Sequence, residues 1–247
     1  MIKEFPPASS GPIPPTMPDT SLAIAREKLL ARFYLPTREE IKKALPSHDD
    51  FYKFCFRDYK VFEFWNKEYM NAFADYLADR VAKLGKLSIV EIGAGNGRFS
   101  TLLEIVLQEK GLDGVIEIMP TDSNGWGLAD KFSVVEMDYI EALETFKPDI
   151  VISSWMPART DWTKTIRQFD SVKEYILIGD PTCCGDGERT WGNSFLEDPF
   201  SVDSFEREEI TNLHRLQICY KDIFDEHAVN KEENTNPHSY TVSFKRV

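Results

Sequence analysis

Nothing in this 247-residue sequence approaches the roughly 18–20 consecutive apolar residues that a membrane-spanning helix needs. The opening stretch, MIKEFPPASSGPIPPTMPDT, has no apolar core of the secretory kind, so a cytoplasmic protein is expected. Cysteine is sparse: only Cys55, Cys183, Cys184 and Cys219 occur. Two are adjacent, a spacing that rarely bridges, and no C-x-x-C pair is available for zinc. A reducing setting and no metal are expected. Positive charge is also short. Against 41 acidic residues stand 29 basic ones, a net charge of -12, with no lysine- or arginine-rich run. That balance argues against a groove that tracks nucleic-acid phosphates. The histidines (His48, His214, His227 and His238) are few, and none adjoins a motif, so no catalytic base is assigned. There is no internal repeat and no sign of a second core; the length suits one α/β domain with an appendage.

What is present centres on LSIVEIGAGNGRFS, residues 87–100. Leu87 to Ile92 is an apolar, β-branched run that reads as a buried central strand. Gly93, Gly95 and Gly97 follow at every second position. From Arg98 the period turns helical, with Phe99, Leu102, Leu103, Val106 and Leu107 on one face. A strand, a glycine turn and a helix in succession let backbone approach a ligand closely, with the helix's N–H groups aimed at it. The dinucleotide fingerprint G-x-G-x-x-G would need a sixth-position glycine, but that place holds Arg98.

The pattern that is present, E-x-G-x-G-x-G from Glu91 to Gly97, resembles the first motif of the class I S-adenosylmethionine (SAM) dependent methyltransferases. A carboxylate before the loop suits SAM, which carries an ammonium and a sulfonium and no phosphate. The resemblance covers residues 85–247 and implies an α/β, Rossmann-like seven-stranded sheet. That sheet would be mostly parallel, with a C-terminal antiparallel hairpin and helices on both faces. Residues 1–19, with six prolines, read as a flexible tail, and residues 20–84 as an N-terminal helical cap.

In chain order, a helix is expected over 20–35, ended by Pro36. Thr37 and Glu40 form a capping box for a short second helix. Residues 49–84 are densely aromatic, and 61–84 have helical spacing. Those rings either pack a helix on the sheet or, with Trp65, form a lid over the pocket. A second strand over 115–119 leads to Asp122. A carboxylate there can hold ribose hydroxyls, with Ser123 beside it, or simply make an Asx turn before Asn124. The third strand, 132–136, leads to Asp138, which either reaches the adenine amino group, with Met137 or Tyr139 against the ring, or caps the next helix. Gly93, Ala94, Gly95 and Gly97 would give the backbone cradle, with Ser153 at the end of the fourth strand.

The fourth-strand exit reads SSWMP, residues 153–157. It is neither the N-P-P-[YF] of the amino-methylating nucleic-acid and glutamine enzymes nor the paired glutamates of the arginine methyltransferases, so the acceptor stays open. Trp155 and Met156 are candidates to line its pocket. A helix is expected over 161–169 and a fifth strand over 174–178. A long loop at 182–200 follows on the acceptor side, so Asp180 just before it, with Glu188 and Trp191 in it, are candidate acceptor contacts. A short helix over 205–213 and strands over 215–220 and 240–245 complete the expectation. The implied function is transfer of a methyl group from SAM to an oxygen or nitrogen of a small molecule. A protein acceptor, a catalytically silent SAM-fold partner subunit and, more distantly, a nicotinamide oxidoreductase are the alternatives.

Overall fold

The computed structural model describes residues 20–45, 53–55, 60–125, 127, 133–192, 204–220 and 238–247. The proline-rich stretch 1–19, His48, Phe132, the loop 193–203 and the polar stretch 221–237, with His227, lie outside them.

Leu87–Ile92 forms β1, and its two-residue period sends Leu87 and Ile89 to one face and Val90 and Ile92 to the other. Around it run β2 (Ile116–Asp122), β3 (Val135–Glu136), β4 (Ile150–Ser154), β5 (Glu174–Gly179), β6 (Phe205–Glu209) and β7 (Tyr240–Arg246). The sheet order is β3-β2-β1-β4-β5-β7-β6. β1 to β5 are parallel, and β7 enters antiparallel between β5 and β6. The expected seven-stranded mixed sheet is thus present.

Helices cover both faces. On one, α3 (Lys67–Leu84) and α4 (Arg98–Glu109) bury Tyr69, Phe73, Phe99 and Leu103 against β1. Phe73 and Phe99 meet edge to face at 5.5 Å. The other face carries α5 (Tyr139–Phe146), the single-turn helices α6 (Thr163–Ile166) and α7 (Glu188–Trp191), and the stacked pair Tyr175 and Phe244, 4.5 Å apart. A smaller cluster joins α1 (Thr20–Leu29) and α2 (Arg38–Ala44) to Phe54, Phe64 and Ile218. Thr37 and Glu40 make the expected capping box.

Several local expectations are corrected. The first helix stops at Leu29: Leu30 and Ala31 N–H tighten onto the Glu27 and Lys28 carbonyls, and the Leu29 carbonyl accepts from Arg98. The helical spacing from Val61 does not begin a helix until Lys67; Asn66 caps it, its Oδ1 accepting from Tyr69 N–H at 2.9 Å. Residues 61–66 run extended instead, with Glu63 bridged to Cys219. The stretch 205–213 is not one helix: Phe205–Glu209 is the edge strand β6, and α8 (Thr211–His214) follows. Its single inward apolar residue hid the two-residue period, and its charges suit an edge that must not pair further. The alternating stretch 215–220 is not a strand. Its backbone turns (Gln217 N–H to His214 O), and Gln217 bonds Ser239 and Thr241.

At the amino end of the sheet, Glu174 is fully buried and paired with Arg80 Nε at 2.6 Å. Tyr76 and Ser243 hydroxyls also donate to it. Removing the cation strands a buried carboxylate. Arg80→Met should therefore cost about 3–5 kcal/mol. In thermal melts that is a fall on the order of 10 °C; an unchanged melting temperature would show the pair to be dispensable.

Candidate functional site

The carboxyl ends of β1 and β4 diverge where the strand order reverses, the place at which open α/β sheets hold ligands. A cavity of about 350 Å³ opens there. Its floor is Glu91 and the loop Gly93–Asn96, one wall is Asp122, Ser123, Met137, Asp138 and Tyr139, and its roof is the extended segment 60–65.

The loop's own hydrogen bonds set the chemistry of the floor. Ala94 N–H donates to Thr121 O (2.9 Å), Gly95 N–H to Asp122 Oδ2 (2.8 Å) and Gly97 N–H to Ala94 O (2.9 Å). Arg98 N–H is met by Asn96 Oδ1 at 3.2 Å. Four amides of this turn are thus satisfied within the protein and are not held out to a ligand. The cavity instead meets carboxylates. Asp122 Oδ1 also accepts from Asn124 N–H at 2.7 Å, so this side chain makes the Asx turn and locks the loop at once, with its oxygens at the cavity wall. Asp138 caps α5 through Ile140 N–H (2.9 Å) and lines the cavity too.

Glu91 is the deepest of the acids, 1% exposed on the face of β1 that α3 and α4 cover. Burial pushes its pKa up to about 8, opposed by the hydrogen bond from Ser100 Oγ. It is mostly protonated at neutral pH until a cation arrives beside it. Trp162 stacks on Tyr139 at 5.3 Å and packs over Gly93 so closely that a Cβ there would lie 2.9 Å from the indole. Gly93 also needs φ +66, a left-handed value that penalises any side chain.

At the β4 exit Trp155 holds φ +55, rare for a bulky residue. Its backbone N–H is fixed to Ile178 O at 2.7 Å, and its Nε1 donates to Glu63 Oε2 at 3.2 Å. Glu63 Oε1 accepts from Ile218 N–H (3.1 Å) and Ser239 Oγ (3.3 Å), which ties the roof to the C-terminal part of the chain.

Of the residues singled out in the sequence, Glu91, Gly93, Ala94, Gly95, Asp122, Ser123, Asp138, Tyr139, Trp65 and Trp155 share this cavity. Five others are placed elsewhere. Gly97 is the N-cap of α4. Ser153 is buried between strands, and the wall residue is Ser154. Met156 belongs to the core on the opposite face. Asp180 turns back to accept from Thr182 N–H and Oγ1 at 2.8 and 2.7 Å. Trp191 is buried, its Nε1 on Cys184 O at 3.0 Å. The described part of the loop after β5, residues 180–192, therefore packs on the core; Glu188 sits exposed on α7.

Phe62, one ring of the expected aromatic lid, also lines the cavity, and Glu63, Arg98 and Trp162 are cavity residues that sequence reasoning missed. Arg98 had a signal in retrospect: it is a charged residue opening an apolar helix. Its guanidinium reaches back to Leu29 O (2.6 Å), Ala31 O (3.1 Å) and Tyr34 O (3.2 Å), which fastens α1 to the glycine loop. Burial lowers its pKa to about 10.

No family model and no curated protein matches this chain in sequence. Solved structures resemble it in backbone only. The CurJ carbon methyltransferase shares 12% identity at TM-score 0.42, covering 92% of this chain and 68% of its own. The methyltransferase domain of bacterial CtHen1-C shares 8% at 0.43, covering 72% and 98%. The plantazolicin methyltransferase BpumL, solved with SAH, shares 11% at 0.38, covering 92% and 97%.

The raised pKa of Glu91 fixes the sign of a stability change. The folded protein holds this proton up to about pH 8, whereas the unfolded chain releases it near 4.5. Stability from this group is present below 4.5 and declines as pH rises toward 8, by up to about 1.4 kcal/mol per unit. Glu91→Gln should flatten that slope in chemical denaturation between pH 5 and 8; identical slopes for the two proteins would contradict the burial argument.

Proposed function

We propose that the chain is a SAM-dependent methyltransferase acting on an oxygen or nitrogen of a small molecule. One observation carries the reading: the turn after β1 has closed four of its own amides, and the cavity above it is lined by Glu91, Asp122 and Asp138. A turn that binds a diphosphate must offer N–H groups and positive potential. This one offers carboxylates, which repel a dinucleotide and attract a cationic nucleoside. The fit is residue by residue. Glu91 suits the methionine ammonium, and Asp122 suits two ribose hydroxyls, since a carboxylate oxygen accepts more than one hydrogen bond. Asp138 suits the adenine amino group, with Met137 and Tyr139 against the ring.

Bound there, SAM supplies a methyl carbon already activated by its sulfonium. The chain's residues then work by placement and by field. The loop backbone sets the depth of the ligand, helped by the absence of a side chain at Gly93 under Trp162. The carboxylates hold negative potential around the cation in a site shielded from water, and the roof segment brings an acceptor in line. Support for a small acceptor comes from that roof, where Glu63 and Trp65 are only 5% and 8% exposed. A protein segment would need an open shelf there. The intact carboxylate set speaks against a silent subunit.

Calorimetric titration of SAM tests the reading. Binding should tighten as pH rises from 6 toward 8, by up to tenfold per unit, because the cation requires Glu91 ionised. Above about 8 it should weaken as the ligand's own α-amino group loses its charge. Asp122→Asn should weaken binding roughly 10- to 100-fold, the worth of charge-assisted hydrogen bonds. Heat from NADH in place of heat from SAM would overturn the proposal.

A further inference from the structure

Among the described residues two cations line the cavity, Lys60 and Arg98, against the acids Glu63, Glu91, Asp122 and Asp138. Lys60 is solvent-exposed. Arg98 is half-buried and follows the glycine turn directly, as the first residue of α4. Side chains of an α-helix lean toward its N-terminus, so this one leans back past the turn to the end of α1. There the carbonyls of Leu29, Ala31 and Tyr34 occupy at most three of its five N–H groups, all on Nη1 and Nη2. The Nε–H has no acceptor among the described residues.

The three acceptors are neutral, and no carboxylate among the described residues pairs with this guanidinium. Burial alone lowers its pKa, to about 10, so it stays ionised at neutral pH. The cavity thus holds one positive charge that lacks a counter-charge and has N–H donors left over, an arrangement that favours an incoming anion. A guanidinium's planar fork matches a carboxylate. The methionine end of SAM brings one. Its ammonium and carboxylate sit on the same carbon, so a ligand whose ammonium meets Glu91 carries its carboxylate into a cavity lined with acids. Four amides of the turn are closed to it.

We propose that Arg98 receives the α-carboxylate of the ligand's methionine end on its unoccupied N–H groups while it keeps the carbonyls at the end of α1, so that one side chain links cofactor occupancy to the docking of the α1 region. The inference rests on the methyl-transfer reading of the same cavity. Glu91 and Arg98 then read the two charges of the amino-acid end with opposite signs, which a nucleoside without that end cannot satisfy. The link to α1 follows from sharing: a carboxylate on the guanidinium fixes its orientation, and with it the donors to Leu29, Ala31 and Tyr34. Those carbonyls lie at and just beyond a helix C-terminus, where intrahelical partners run out.

The test compares SAM with decarboxylated SAM, in which hydrogen replaces the α-carboxylate and the ammonium, sulfonium, ribose and adenine are kept. Calorimetry on the full chain at neutral pH should show SAM binding at least about tenfold more tightly. Arg98→Met removes the charge and keeps an apolar stem; it should weaken SAM about tenfold or more and leave the decarboxylated ligand within about threefold, so that the preference disappears. A role confined to holding α1 would weaken both ligands alike, and that result overturns the assignment. Arg98→Lys, with the charge but without the fork, should keep a reduced preference. It carries the test if Arg98→Met does not fold, and an unaltered preference in it counts against Arg98. Lys60→Met should leave the preference intact; its loss there would hand the carboxylate to Lys60. Amide exchange over residues 29–35 should slow more with SAM than with the decarboxylated ligand, and equal protection would remove the link to α1. If the natural chain binds the two ligands equally, the assignment falls and the methyltransferase reading stands. Binding of neither would bring down both.

Discussion

Asp122 closes the site by hydrogen-bonding in two directions at once. One oxygen receives Gly95 N–H from the turn after β1, and the other receives Asn124 N–H from the turn after β2. Two loops that leave neighbouring parallel strands are thereby held at one separation, with a negative charge between them. The rest follows from that tie. A turn with four amides consumed internally makes a poor anion cradle, although its strand–glycine–helix construction is the one anion cradles use. Its polarity toward the cavity is set by carboxylates, and Glu91, buried at its base, stays mostly protonated until a positive partner makes ionisation favourable.

Around this floor the chain builds a roof from segments distant in sequence. The extended run 61–66 is clamped by Glu63 to Ile218 and Ser239, by Asn66 to Leu216 and by the bridge to Cys219. Arg98 belongs to both layers, since it opens the helix that follows the glycine turn and donates to the carbonyl of Leu29 at the end of α1. Movement of the α1 region is therefore mechanically linked to the floor. Three backbone carbonyls around one guanidinium give a link that is firm yet free of any opposing charge.

The parts legible in the sequence were those whose signal is local. The run 87–107 announced strand, turn and helix through its change of period, and Glu91 and Asp122 through their places at strand ends. The capping box at Thr37 needed only four residues. The misread parts depend on partners far along the chain. Phe205–Glu209 offers one inward residue, so its strand character exists only through β7. The alternation over 215–220 serves side-chain bonds to Ser239 and Thr241 instead of a ladder. Asp180 and Trp191 were expected at the acceptor, but these two side chains turn inward on Thr182 and Cys184. Phe62 was legible only as one ring of the aromatic stretch 49–84, and Trp162 carried no signal at all, because their role arises only when the β4 exit and the roof are brought together.

The central claim is that the carboxylates around this turn grip a cationic nucleoside, and a crystal of the chain grown with S-adenosylhomocysteine tests it most directly. Both ribose hydroxyls should lie within about 2.5–3.0 Å of the Asp122 carboxylate, with the α-amino group beside Glu91 and no anion against the turn. A nucleoside seated elsewhere, or a phosphate-bearing ligand resting on the Gly93–Gly97 backbone with Asp122 swung aside, would contradict it.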